Sequence, residues 1–278
     1  MARIRRLRPW LASLLGLGWL LGLALAGAHA GAFRVMEAHP RDPRAAALWQ
    51  HPQVAMVSPV NFIPIGEETG LIIPIGQWVL ETACAQSRRW RESGHANLRM
   101  AVNLSPRQFR QSDLVASVSR ALERTGVTAE ALELEVTESV AMDNPARSAE
   151  ILRDLVALGI ALAIDDFGTG HSSLGYLNRF PLDFLKVDQS FVGGTPENED
   201  NAVIVRAVIS LAKNLRLETI AEGVETEAQL RFLQKEGCEE AQGYLFSRAQ
   251  PAADLETVLG VGFGKLVVSD EGDRVKAE

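Results

Sequence analysis

From Leu98 to Gly243 the chain repeats one pattern, a short apolar run closing on a polar residue and then a longer amphipathic stretch. The apolar runs predict strands at Leu98–Asn103, Leu132–Thr137, Ile160–Asp165, Leu182–Val187, Leu217–Glu222 and Glu239–Gly243. Helical periodicity fills the intervals at 74–93, 111–125, 145–158, 200–214 and 226–236, with only a short helix around Ser172–Asn178. Runs such as IALAI, bounded by helices, describe a parallel sheet buried on both faces, an α/β fold. Six such units in a row, with no glycine-rich phosphate loop between strand and helix, favour a TIM-like (β/α) barrel over a doubly wound sheet. The string GVGFGK at 260–265 has neither the spacing nor the strand-to-helix setting of a phosphate loop. It reads as part of a disordered tail over 260–278.

A different class of sequence precedes this repeat. Four arginines (Arg3, Arg5, Arg6 and Arg8) stand before an uncharged stretch from Pro9 to Phe33, and Ala28-His29-Ala30 follows the pattern read by signal peptidase. Residues 1–33 therefore read as a secretory signal or, since about 20 apolar residues can span a bilayer, as a transmembrane anchor through residues 9–30. A third reading is an artefactual upstream stretch. Either membrane reading predicts export or inner-membrane anchoring. Residues 34–48 hold two prolines and show neither helical nor strand periodicity, so they read as a linker or degenerate join. The formal net charge of −7 lacks the basic excess that nucleic acid requires, and no DNA partner is expected. Two cysteines, Cys84 and Cys238, exclude a disulfide scaffold or a zinc ribbon.

In a (β/α) barrel the chemistry sits at the carboxyl ends of the strands. Those ends carry Asn103, Glu135 with Glu138, Asp165 with Asp166, Lys186 with Asp188, Glu222, and Gln242. Wet loops explain one polar residue at a strand end, but not this many carboxylates, two amides and a lysine on one rim. Oxygen donors without Cys or His select hard cations, Mg²⁺ or Mn²⁺. Crowded carboxylates raise one another's pKa unless cations neutralise them. Two divalent ions could activate a water and clamp an in-line displacement at phosphorus, with a lysine orienting the water. Phosphodiester hydrolysis is the chemistry this set suits.

The strings VNLSPRQF (102–109), ELEVTES (133–139), DDFGTGHSSL (165–174), LKVDQSFV (185–192), AEGVET (221–226) and QGYLFSR (242–248) resemble the EAL domain family. WQHP (49–52) and SPVNFIPIGEETGLI (58–72) fit as well, and the resemblance spans residues 49–259, about three quarters of the chain. It implies hydrolysis of the bacterial second messenger cyclic di-GMP to linear pGpG, in the cytoplasm, on a two-metal Mg²⁺ or Mn²⁺ site. It further implies Asn103, Glu135, Asp165 and Asp166 as metal ligands, Lys186 holding the catalytic water, and Glu222 as metal ligand or general base. Gln242 and Asp188 would support the site. Glu138 would anchor the loop 167–173, through which the family couples metal binding to homodimerisation; His171 in that loop stands where tyrosine is commoner.

The motif that names the family is missing. Counting back from Trp49 without gaps, its glutamate falls on Arg44, followed by Ala45 and Ala46, and an expected phosphate-contacting arginine falls on Leu48. The first strand of the family has no counterpart, so the barrel is expected to be incomplete at its first and second strands. Three functional readings follow: a phosphodiesterase domain with impaired turnover, a non-catalytic module that binds cyclic di-GMP or a protein, and a fragment without function of its own.

Overall fold

A computed structural model describes residues 33–36, 46–51, 55–57, 59–169, 174–246 and 252. Three short strands, β1 (Phe33–Met36), β2 (Ala46–His51) and β3 (Ala55–Val57), form an antiparallel sheet in that order. Strands thus stand at both ends of the stretch 34–48, where the sequence shows no strand periodicity. Pairing makes them: Phe33 lies opposite Trp49 and Met36 opposite Ala46, and cross-strand hydrogen bonds need no apolar alternation. Helices α1 (Pro59–Thr69) and α2 (Ile72–Glu92) lead from there into the main body.

The main body is a parallel sheet of six strands in sequential order: β4 (Met100–Asn103), β5 (Leu132–Thr137), β6 (Ala161–Phe167), β7 (Phe184–Val187), β8 (Glu218–Ala221) and β9 (Glu240–Ala241). Between them run α3 (Pro106–Phe109), α4 (Leu114–Thr125), α5 (Glu138–Asp143), α6 (Pro145–Ala157), α7 (Leu174–Leu177), α8 (Gln189–Val192), α9 (Glu199–Leu215) and α10 (Glu227–Glu236). Each expected strand and long helix is present, shifted by a few residues at its ends. The short helices α3, α5 and α8 are additions, each following a strand end that carries a candidate residue.

Successive residues of a strand face opposite sides, and that alternation sorts the sheet into two environments. Leu132, Leu134 and Val136 of β5, Leu162 and Ile164 of β6, and Leu185 and Val187 of β7 join the large core under the helices. The residues between them face the concave side. There Ala163, Phe184 and Ile220 make a small separate apolar cluster, with charged residues above and below it.

The sheet is strongly curled. Laid flat, β4 and β9 would stand about 24 Å apart at ~4.8 Å per strand. Instead Arg99, just before β4, lies 3.7 Å from Glu240 on β9 and 2.7 Å from Glu133 on β5, with its guanidinium 4.1 Å from the Phe184 ring centroid. One side chain therefore ties both edge strands across the concave side, and the six strands form a curled half-barrel of TIM-like type.

Trp90 and Cys84 of α2 are buried in the main core, with Trp78 packed on it, as their helical spacing implies. Among the described residues no helix is long and apolar enough to cross a membrane. The segment 1–32 and the tail 260–278 lie outside the described residues.

Candidate active site

The carboxyl ends of β4 to β9 gather the candidate residues on one rim. Asn103 closes β4 directly beside Glu135 of β5, and Thr137 stands beside Asp165 of β6. Period two would send Asp165 and Asp166 to opposite faces of the sheet. The pairing of β6 with β7 prevents this: Ile164 opposes Leu185 and Phe167 opposes Val187, so Asp165 and Asp166 together face the single residue Lys186. This is a β-bulge, with Asp166 at φ +54, a left-handed backbone that aspartate tolerates better than most side chains. As a result Asp165, Asp166 and Glu222 each offer a carboxylate oxygen, all within 4.8 Å of one another.

Lys186 sits under these carboxylates with no solvent exposure. Its Nζ lies 3.0 Å from Glu135 Oε2 and 2.5 Å from both Asp165 Oδ1 and Glu222 Oε1. One cation thus serves three carboxylates, and Asp166 adds a fourth. The excess of negative charge shows in the titration of the aspartates. Burial pushes the Asp165 carboxyl up to about 7, with Glu222 and Glu135 adding to the rise and Lys186 opposing it. Asp166 is also raised, by burial first and then by Glu222 and Asp188. A partly buried, oxygen-only, over-negative cluster is the donor set of a hard divalent cation, so these residues fit a metal.

The loops around the cluster are closely tied. Asp188 caps α8, its Oδ1 accepting from the Ser190 N–H at 2.9 Å and from the Ser190 hydroxyl, and it also adjoins Asp166. The Glu222 N–H donates to Val187 O at 3.0 Å, joining the end of β7 to the end of β8. Gln242 donates its N–H to Ala221 O and accepts at its carbonyl from Val224, both at 2.9 Å. Its side-chain Oε1 is buried with no hydrogen-bond partner among the described residues. At Gly243 any Cβ would lie 2.3 Å from Val224 N and O, so only glycine lets these two loops meet. Glu138, buried at the start of α5, accepts the Gly168 N–H at 3.0 Å and so fixes the start of the 167–173 loop. His171 and residues 170–173 lie outside the described residues, as does Arg44.

The geometry divides the sequence-derived set. Glu135, Asp165, Asp166, Lys186 and Glu222 converge on one point, with Asp188 adjoining through Asp166 and Asn103 beside Glu135. Glu138 and Gln242 serve the loops that frame the site. Sequence reasoning passed over the charged floor of the half-barrel, Arg99 with Glu133 and Glu240, and also Gln229. For Glu133 a signal existed: in Leu-Glu-Leu-Glu the strand period puts Glu133 and Glu135 on one face.

The EAL domain profile matches residues 42–249 of the chain. Among curated proteins, the bifunctional diguanylate cyclase/cyclic di-GMP phosphodiesterase MucR of Pseudomonas aeruginosa is 48% identical over 207 residues, covering 74% of this chain and 30% of MucR. The cyclic di-GMP phosphodiesterase NbdA of the same organism is 46% identical over 211 residues, covering 76% of this chain and 27% of NbdA. The chain therefore spans less than a third of the length of these two relatives. Among solved structures, the PaMucR phosphodiesterase in complex with c-di-GMP superposes with a TM-score of 0.76 at 45% identity, covering 80% of this chain and 92% of that one. The EAL enzyme Bd1971, with cAMP and cyclic di-GMP bound, gives 0.78 at 30% identity, covering 89% and 69%. By its profile match, its half-barrel and its close relatives, the chain belongs to the EAL domain family.

Proposed function

We propose that residues 49–259 act as a divalent-metal-dependent phosphodiesterase domain that opens cyclic di-GMP to linear pGpG, with turnover weakened at one ligand position. The observation that carries this reading is the meeting of Asp165, Asp166 and Glu222 above the buried Lys186. The relatives' names supply the substrate class, and the oxygen-only donors supply the preference for Mg²⁺ or Mn²⁺.

Asn103, Glu135, Asp165 and Asp166 would hold the metal ions, with Glu222 as a further ligand or as the base that takes the proton from water. When bound, the ions supply Lewis acidity at the phosphate and a lowered water pKa. Lys186 holds the carboxylates at fixed spacing and donates toward the water's position. Gln242 offers a buried amide oxygen to the rim. Through Gly168, Glu138 holds the 167–173 segment, which on this reading is the contact between two copies of the chain.

Weakened turnover rests on Arg44, which by the gapless count back from Trp49 falls at the position of the motif glutamate and replaces an acidic residue type with a basic one. Loss of a residue that merely supports a metal ligand costs roughly 10–100-fold, so loss of a ligand should cost at least that. Arg44 also favours a second reading, in which the groove keeps the nucleotide without cleaving it. Incubation of the full chain with cyclic di-GMP and Mg²⁺ or Mn²⁺, followed by chromatography, separates the two. Slow formation of pGpG that is abolished in Glu222→Gln and accelerated in Arg44→Glu supports the enzyme. Calorimetric binding without any product supports the binding module, and neither turnover nor binding defeats both.

A further inference from the structure

Two loops frame the candidate site on the β7–β8 side, one following Lys186 and Asp188, the other following Glu222. One side chain hydrogen-bonds to both. Gln229, on the first turn of α10 and 5% exposed, accepts at Oε1 from the N–H groups of Glu225 (2.7 Å) and Thr226 (2.9 Å). Its Nε2 donates to Gly193 O at 3.3 Å, across the gap to the end of α8. The contact continues inward, since at Gly223, φ +68, a Cβ would lie 2.5 Å from Gln189 Cβ. Beyond that point the Glu222 N–H meets Val187 O.

The residue type is informative. Thr226 and Gln229 form a capping box, in which the Thr226 hydroxyl accepts the Gln229 N–H at 3.2 Å and the Gln229 side chain accepts in return. Glutamate serves that box equally well and adds a favourable charge at a helix N-terminus. Glutamate has no N–H to give to Gly193. A glutamine satisfies both demands, and the second has nothing to do with capping α10.

We propose that Gln229 is a positioning residue that locks the Glu222 loop to the segment that follows Lys186 and Asp188, and thereby sets where the Glu222 carboxylate stands relative to Lys186. The effect on turnover rests on the phosphodiesterase reading above; the lock itself does not. The discriminating variant is Gln229→Glu, which keeps the cap and removes the cross-loop donor.

Hydrogen–deuterium exchange of the metal-free full chain tests the lock, and steady-state kinetics with Mn²⁺ tests its consequence. In the wild type, the amides of Glu225 and Thr226 should be protected although they lie outside helix and strand; fast exchange there overturns the proposal without any variant. In Gln229→Glu, residues 188–195 should exchange faster while 222–230 stay protected and the melting midpoint is kept. The kcat for cyclic di-GMP should fall roughly 10–100-fold, with KM held within about threefold. Unchanged exchange at 188–195, or an unchanged kcat, overturns the proposal. A wild type without turnover that shows the expected exchange pattern overturns the phosphodiesterase reading and leaves the lock standing.

Discussion

Asp165 and Asp166 are neighbours in the chain, yet their carboxylates point to one place, because a bulge opposite Lys186 turns Asp166 out of the strand's alternation. The bulge and the left-handed backbone of Asp166 do the work that a third strand would otherwise have to do. They bring two charges that repel each other into a site already crowded by Glu222 and Glu135. Such an arrangement costs the fold stability unless a proton or a cation offsets the charge, and a divalent cation would do so fully.

If that is so, Asp166→Asn should weaken Mn²⁺ binding roughly 10–100-fold with little loss of metal-free stability. Titration calorimetry on wild type and variant measures it directly. Equal affinities would mean that Asp166 is not a ligand and that the bulge serves the loop alone.

The pH dependence follows from Asp165. Its carboxyl holds a proton up to about 7 in the folded chain, against an ordinary value of 3.8. The folded state therefore binds that proton more tightly than the unfolded state. Below 3.8 both states are protonated and nothing is lost; as pH rises toward 7 the unfolded chain ionises first and stability falls. At about 1.36 kcal/mol per pKa unit, the loss by pH 8 is on the order of a few kcal/mol. Urea unfolding with chelator from about pH 5 to pH 8 should show that decline, and Asp165→Asn should flatten it. Added Mn²⁺ should restore wild type at high pH and leave the variant unchanged.

Lys186→Met removes the cation that pairs with Glu135, Asp165 and Glu222 together. Breaking a buried pair by removing one partner costs about 3–5 kcal/mol, because the other charge stays buried. The penalty should be largest above pH 7, where Asp165 is ionised, and smaller near pH 5. A variant as stable as wild type at pH 8 would mean that the carboxylates reach solvent on their own.

Much of this architecture was legible because each signal was local. Apolar runs placed all six parallel strands, and their polar ends named the rim that holds Glu135, Asp165, Lys186 and Glu222. What was not legible depends on partners distant in sequence. Period two, read along β6, puts Asp166 on the wrong face, and only the register against β7 corrects it. Arg99 falls inside the expected strand Leu98–Asn103 with no local signal to name its partners, and one of them, Glu240, lies on a strand of two residues. Strands β1 and β2 carry no alternation because pairing with each other defines them. Gln229 looks like an ordinary helix cap until Gly193 is seen across from it.

Arg99 provides the sharpest test of the half-barrel itself. It spans from the entry of β4 to β9, stacks on Phe184 and pairs with Glu133, which is 1% exposed while Arg99 is 30% exposed. Arg99→Leu preserves much of the apolar stem but leaves Glu133 buried beside an apolar cluster, at a cost of about 3 kcal/mol, the lower end for a broken buried pair because Arg99 is partly wet. The edges joined through Glu240 would also lose their tie, which should loosen the rim between Asn103 and Gln242. Arg99→Leu paired with Glu133→Leu removes both charges and should recover most of the stability, since an apolar replacement of a buried pair is often neutral or better. A double-mutant cycle by urea unfolding therefore separates the charge from the strut. Recovery of stability without recovery of Mn²⁺ affinity would show that Arg99 shapes the site from below; recovery of both would reduce it to a counter-ion for Glu133.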